Sequence, residues 1–131
     1  MGQISMFIGY DYDKDKHYKN LLTAWDKHDL FDFKFYDASV DVSVNSTNAD
    51  YIKRVIRARI YEATHFLCIV GEETWKSDWV DWEIKKANEF NKRIISVKIN
   101  SNYTSPTAII GVGANWAKSF TFESIKDAIG V

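Results

Sequence analysis

Hydrophobic and polar positions along the chain switch repeatedly between a strand period and a helix period. "ISMFIGY" (4–10) is an apolar run carrying Gly9 near its end. Tyr18, Leu21, Leu22 and Trp25 then recur at i, i+3, i+4 and i+7, one face of a helix. "FDFKFYD" (31–37) sets Phe31, Phe33 and Phe35 against Asp32, Lys34 and Tyr36, a period of two that predicts a strand with one covered face, suited to a sheet edge. The polar "DASVDVSVNSTNAD" (37–50) is too long for a tight connection and predicts a mobile loop over a site. Thr47 with Asp50 three residues on resembles a capping box, opening a helix that turns Ile52, Val55, Ile56 and Ile60 inward.

"THFLCIVG" (64–71) and "RIISVKIN" (93–100) are continuous apolar runs, as strands covered on both faces must be, and a helix over about 77–90 lies between them. A short strand at Lys118–Phe122 and a helix from Glu123 are expected to close the chain. Five β units separated by helices predict an α/β fold, a parallel sheet with helices on both faces. The first, third and fourth strands read as interior and the second and fifth as edges. The order 2-1-3-4-5 satisfies that pattern, a flavodoxin-like three-layer sandwich spanning 1–131 as one domain. Ligands of such sheets gather outside the carboxyl ends of the strands, near the switch between strands one and three. Gly9-Tyr10-Asp11, Asp37-Ala38-Ser39 and Gly71-Glu72-Glu73-Thr74 stand at those ends.

Composition narrows the class. The chain of 131 residues can bury a real core, and 46% hydrophobic with 27% charged residues is the ordinary globular balance. A net charge of −1 argues against a general nucleic-acid binder, and the basic "IKRVIRARI" (52–60) reads as a solvated helix face. No apolar run reaches about 18 residues, and "MGQISMFIGY" lacks a basic n-region, so no membrane association and a cytoplasmic location are expected. Gly2 is not a myristoylation site, because Met6 stands where Ser or Thr is required. Cys68 is the only cysteine and sits in "HFLCIVG", the setting of a small buried hydrophobe. His17, His28 and His65 show no ligand spacing, so no metal is expected.

One stretch, "SDWVDWEIKK" (77–86), carries candidate chemistry. At about 100° per residue, Val80, Ile84 and Ala87 form the stripe that packs on the sheet, and Glu83 falls on its shoulder beside Trp79. Burial there would raise the pKa of Glu83, while the nearby helix start would lower it. The plain alternative is a salt bridge from Glu83 to Lys85 or Lys86, with Trp79 as packing.

"MFIGYDYDKD", "FYDAS", "FLCIVGEETWKSDWVDWEI" and "NKRIISVKIN" together resemble the TIR-like family of the bacterial Thoeris anti-phage defence system, the ThsB proteins. The resemblance runs over about 4–100. The first strand is similar to the Phe-Ile-Ser-Tyr opening of TIR domains, with Gly9 in the serine position. Trp79 to Glu83 matches the Trp-x-x-x-Glu element that carries the catalytic glutamate of TIR NAD hydrolases. The family implies cleavage of NAD at the nicotinamide–ribose bond to make a cyclic ADP-ribose-type signal for a separate effector protein. No cofactor is implied, since NAD is the substrate; self-association is among the contacts the family allows. Carried over, Glu83 is the catalytic carboxylate; Tyr10, Asp11, Asp37 and Ser39 line the nucleotide pocket or open its covering loop, and Trp79 shapes the surroundings of the glutamate. Two positions depart from the pattern: Gly9 removes a hydroxyl, and Val80 replaces the usual cysteine after the tryptophan.

A single acid suits that chemistry. Ordinary glycosidases need two carboxyl groups because an alcohol leaves badly. Nicotinamide leaves a pyridinium as a neutral molecule, so one carboxylate facing the developing oxocarbenium suffices. A phosphorylated receiver domain is excluded, because strand three ends "CIVGEE" without an acceptor aspartate. A flavodoxin is excluded because the acidic "GYDYDKDK" would repel a phosphate. A non-catalytic TIR-like module that works through protein contacts is the competing reading.

Overall fold

Strand β1 (Ile4–Gly9), helix α1 (Tyr12–Lys27), β2 (Phe35–Asp37), α2 (Ala49–Glu62), β3 (His65–Val70), α3 (Asp78–Glu89), β4 (Arg93–Lys98), β5 (Asn115–Trp116) and α4 (Phe122–Ile129) follow one another in a computed structural model. It describes residues 4–27, 35–37 and 49–130. Short 3-10 turns at Thr74–Lys76 and Thr107–Ile109 precede α3 and β5. Every strand pairing is parallel, with Ile4 opposite Phe35, Met6 opposite His65, His65 opposite Arg93 and Ile95 opposite Asn115, in the order β2-β1-β3-β4-β5. Parallel pairing demands crossover helices, and those helices cover both faces of the sheet.

Alternation along β1 and β3 divides the interior into two layers. Met6 and Ile8 of β1, Leu67 and Ile69 of β3 and Ile95 and Val97 of β4 pack with Leu22 of α1 and Ile125 and Ile129 of α4. Phe7, Phe66, Cys68, Val70 and Ile94 face the other way, against Ile52, Ile56 and Ile60 of α2 and Val80, Ile84 and Ala87 of α3. Side chains as fully buried as Phe66 and Ile84 contribute about 1.5–3 kcal/mol each by leaving water.

The interior face of α1 keeps most of the stripe that the apolar spacing predicts. Leu22 is buried, Tyr18 and Trp25 are partly covered, and Leu21 stays 41% exposed. Asp15 and Lys19, one and two turns from the helix start, are buried as well, which the apolar spacing does not predict. The closing region also differs. The fifth strand is Asn115–Trp116, pairing with Ile95 and Ser96, and not Lys118–Phe122. The alternating aromatics of that segment pack on α1: Phe120 lies 5.4 Å from Tyr18 and 5.7 Å from Trp25, and Phe122 6.3 Å from Trp25. Thr121 then accepts a hydrogen bond from the Ser124 amide and starts α4 at Phe122. Among the described residues no helix is long and apolar enough to cross a membrane.

Candidate active site

Gly9 ends β1 with its missing side chain directed at α3. A Cβ there would stand 2.7 Å from Cζ of Phe66 and 3.2 Å from Oε1 of Glu83. The tip of the Phe66 ring and the Glu83 carboxyl therefore occupy the room a side chain would need. The pitch of α3 is set at its start, where the Ser77 hydroxyl accepts a hydrogen bond of 3.1 Å from the Val80 amide. From that cap, Val80, Glu83, Ile84 and Ala87 all turn inward, and Glu83 is only 8% exposed.

Neither following lysine pairs with it. Lys85 binds Asp81 at 3.0 Å and Lys86 binds Glu89 at 3.0 Å. Burial pushes the Glu83 carboxyl up to about 8, so desolvation prevails over the helix start. Beneath it, burial first and the Glu83 charge second push the Cys68 thiol up, which removes that sulfur as a nucleophile and leaves it a packing residue.

A cleft of about 460 Å³ opens between the start of α1 and the connection from β3 to α3. Asp11, Asp13 and Lys14 form one wall; Glu73, Lys76 and Trp79 form much of the other. Trp79 stands one turn before Glu83 and packs edge-on against Trp82, with ring centroids 6.2 Å apart. The ammonium of Lys53 on α2 lies 5.8 Å from one indole and 5.6 Å from the other, a cation–π bridge that fixes the pair. Glu83 itself is not among the lining residues; its Oε1 faces Gly9.

Of the residues predicted from sequence, Asp11 and Trp79 line this cleft, whereas Glu83 lies against Gly9, one helical turn beyond Trp79. The Asp11 Oδ1 accepts from the Asp13 amide at 3.2 Å, and its carbonyl accepts from the Lys14 and Asp15 amides, so it caps α1. Burial raises its pKa, with help from the Asp13 and Glu73 charges and against the amide hydrogen bonds of Asp13 and Lys14. Tyr10 is a correction: it is buried in the opposite layer with Ile8 and Leu22, because alternation turns it away from the Gly9 side. Asp37 ends β2 beside Met6, and its side chain, like Ser39 and most of the 37–50 stretch, lies outside the described residues.

The sequence reading missed Asp15. It is 5% exposed and packs against Gly71 at the end of β3, so closely that a Cβ on Gly71 would collide with its carboxyl. Burial and the Asp11 charge lift it to about 6, against the stabilising charge of His17 and a hydrogen bond with Thr74; its Oδ2 has no partner. The available signal was the spacing 15, 18, 22, 25, which places it on the inward stripe of α1. Among the described residues no group of three or more His, Cys, Asp or Glu is arranged to hold a metal ion.

With this geometry in view, the family model "Thoeris protein ThsB, TIR-like domain" matches residues 7–104, most of the chain. The chain belongs to the ThsB TIR-like family. The matched span runs from within β1 past β4 and so contains Gly9, the cleft and Glu83. Among solved structures, this ThsB-family chain is similar to the Clostridium botulinum CMP N-glycosidase BcmB, with a TM-score of 0.65 and 13% identity over 97% of this chain and 99% of that one. It is also similar to a 2-deoxyribosyltransferase from Bacillus psychrosaccharolyticus, with a TM-score of 0.63 and 11% identity over 94% and 90% of the two chains. At these identities the likeness is one of fold. No curated protein sequence matches the chain.

Proposed function

We propose that this ThsB-family domain cleaves NAD at the nicotinamide–ribose bond and releases a cyclic ADP-ribose-type signal for a separate effector protein. The observation that carries the reading is the Glu83 carboxyl, held without an ion pair among the described residues, against Gly9 at the carboxyl end of β1. A carboxyl kept out of water with no counter-charge is costly to fold, and such groups concentrate at catalytic sites. The likeness in fold to a CMP N-glycosidase and a 2-deoxyribosyltransferase supports an N-glycosidic substrate class.

The mechanism follows from charge. In the empty protein Glu83 keeps its proton at neutral pH, since burial sets its pKa near 8. A pyridinium ring entering beside it supplies the missing positive charge and favours the carboxylate. As the C–N bond of the ribose breaks, the bonding pair leaves with nicotinamide, which departs neutral. Positive charge passes to the anomeric carbon, where the carboxylate opposes it at low dielectric, an effect worth about 3–4 kcal/mol for comparable preorganised groups. A nucleophile on the same ADP-ribose closes the ring if it arrives before water.

Incubation with NAD, followed by chromatographic separation of nicotinamide, cyclic and linear ADP-ribose, tests this. Wild type is expected to release nicotinamide and Glu83→Gln to release it about 10²–10³ more slowly. Equal release from both removes Glu83 from the mechanism. The non-catalytic module has its own support in exposed aromatics, Trp75 at 50% and Tyr61 at 66%. Absence of nicotinamide at every protein concentration would favour it.

A further inference from the structure

Among the described residues lining the cleft, the cations are Lys14 and Lys76, and they project from opposite walls, one on α1 and one on the 3-10 turn before α3. Both are drawn to a single anion. The Lys14 ammonium lies 3.4 Å from Oε2 of Glu73, and the Lys76 ammonium 3.1 Å from Oε1. Each lysine therefore holds a different oxygen of one carboxylate. Two adjacent non-bridging oxygens of a phosphate present the same pair of acceptors to two ammonium groups.

The rest of the cleft has the opposite character. Asp11, Asp13 and Asp78 line it too, so an anion entering elsewhere would meet like charge. A ligand with a positive ring at one end and a diphosphate at the other fits this division. The ring belongs towards Asp11, beside the Gly9 end of β1, and the anion belongs between the lysines. The acidic loop after β1 repels phosphate when counted as sequence, yet the fold brings its Lys14 opposite Lys76.

We propose that Lys14 and Lys76 are the diphosphate-binding pair of the cleft, and that Glu73 is an internal stand-in that a nucleotide must displace. This rests on the reading of the cleft as a dinucleotide site. The latch is weak enough to open: the two lysines are 62% and 56% exposed and Glu73 34%, and exposed ion pairs are worth little. A diphosphate brings more charge and more acceptor oxygens than one carboxylate, so it wins the lysines. Lys76 is further held 5.5 Å over the Trp75 ring, which keeps it at the cleft when Glu73 leaves.

Titration calorimetry with ADP at low salt tests the pair directly. Glu73→Gln is expected to tighten ADP binding about two- to fivefold, the range in which an exposed ion pair competes. The double variant Lys14→Met/Lys76→Met is expected to weaken it about tenfold and to flatten its salt dependence. Lys14 and Lys76 are exposed and Glu73 is half-buried with its carboxylate at the surface, so the variants are expected to keep the fold. ADP affinity in Glu73→Gln no higher than in wild type, or undiminished in the double variant, overturns the proposal. Nicotinamide release is read separately. ADP binding with these dependences but without nicotinamide release keeps the lysine pair and removes the glycohydrolase reading. Release with a KM for NAD indifferent to all three substitutions does the reverse.

Discussion

Glu83 and Asp15 lie on opposite faces of the same sheet, and each fills space that a glycine leaves at a strand end. Gly9 of β1 makes room for Glu83 on the α3 side, and Gly71 beyond β3 makes room for Asp15 on the α1 side. Both carboxyls are buried and both are raised above the usual range. Their surroundings differ. Burial alone lifts Glu83, to about 8, and among the described residues no hydrogen bond or charge opposes it. Asp15 stops near 6, because the His17 charge and the Thr74 hydroxyl oppose burial and the neighbouring Asp11 charge. Thr74 in turn accepts from the Gly71 amide at 2.8 Å and belongs to the turn that carries Glu73 and Lys76. One carboxyl is left waiting for an external charge; the other is tied into the wall of the cleft.

The sharpest way to break that comparison is by activity. Glu83→Gln is expected to lower kcat for nicotinamide release by about 10²–10³, the cost of removing one preorganised charge-stabilising group. Asp15→Asn is expected to leave kcat within about tenfold, since Asp15 lies on the α1 side of the sheet against Gly71, across the sheet from Glu83. A larger fall for Asp15→Asn than for Glu83→Gln would invert the assignment.

The glycines should separate stability from activity. Gly71→Ala forces its Cβ into the Asp15 carboxyl and is expected to cost about 1–3 kcal/mol in urea unfolding, with Asp15→Ala recovering much of it in a double-mutant cycle. Gly9→Ala overlaps the buried Phe66 ring less deeply than Gly71→Ala overlaps Asp15, so its stability cost should be the smaller, while the displaced Glu83 lowers kcat more than Gly71→Ala does.

The pH dependences come next. The unfolded chain ionises Glu83 near 4.5, whereas the folded chain keeps the proton to about 8. Rising pH between those values therefore favours unfolding, by up to about 5 kcal/mol. Glu83→Gln removes this loss, so its stability relative to wild type should climb from pH 5 to pH 8. For Asp15 the same sign holds between 3.8 and about 6, with the smaller ceiling of about 3 kcal/mol, and Asp15→Asn should flatten that window alone. In activity, kcat/KM of wild type should rise with pH through about 8 as free Glu83 ionises. A flat profile would show that Glu83 is not the titrating group.

Much of the architecture was legible in the chain. Continuous apolar runs at 4–10, 64–71 and 93–100 marked the central strands, and the alternation with helix patterns marked an α/β parallel sheet. Val80, Ile84 and Ala87 read correctly as the packing stripe of α3, with Glu83 at its edge. Elsewhere the pattern misled. Asn115–Trp116 is exposed and only two residues long, so β5 carries no hydrophobic signature, whereas Lys118–Phe122 imitates a strand while its rings pack on α1. Tyr10 was grouped with Asp11 by adjacency, yet consecutive residues leaving a strand point to opposite layers.

What the sequence determined by itself is therefore one-dimensional: the central strands and the helices between them, the apolar stripe of α3, and the Trp79-to-Glu83 spacing. Those follow from periodicity, a local property. The tertiary structure alone decided how buried Glu83 is, that Gly9 supplies its space, that Asp15 rests on Gly71, and that Lys14 and Lys76 share Glu73. Each of these joins residues far apart along the chain, and desolvation and Coulomb energy depend on distance and enclosure in space.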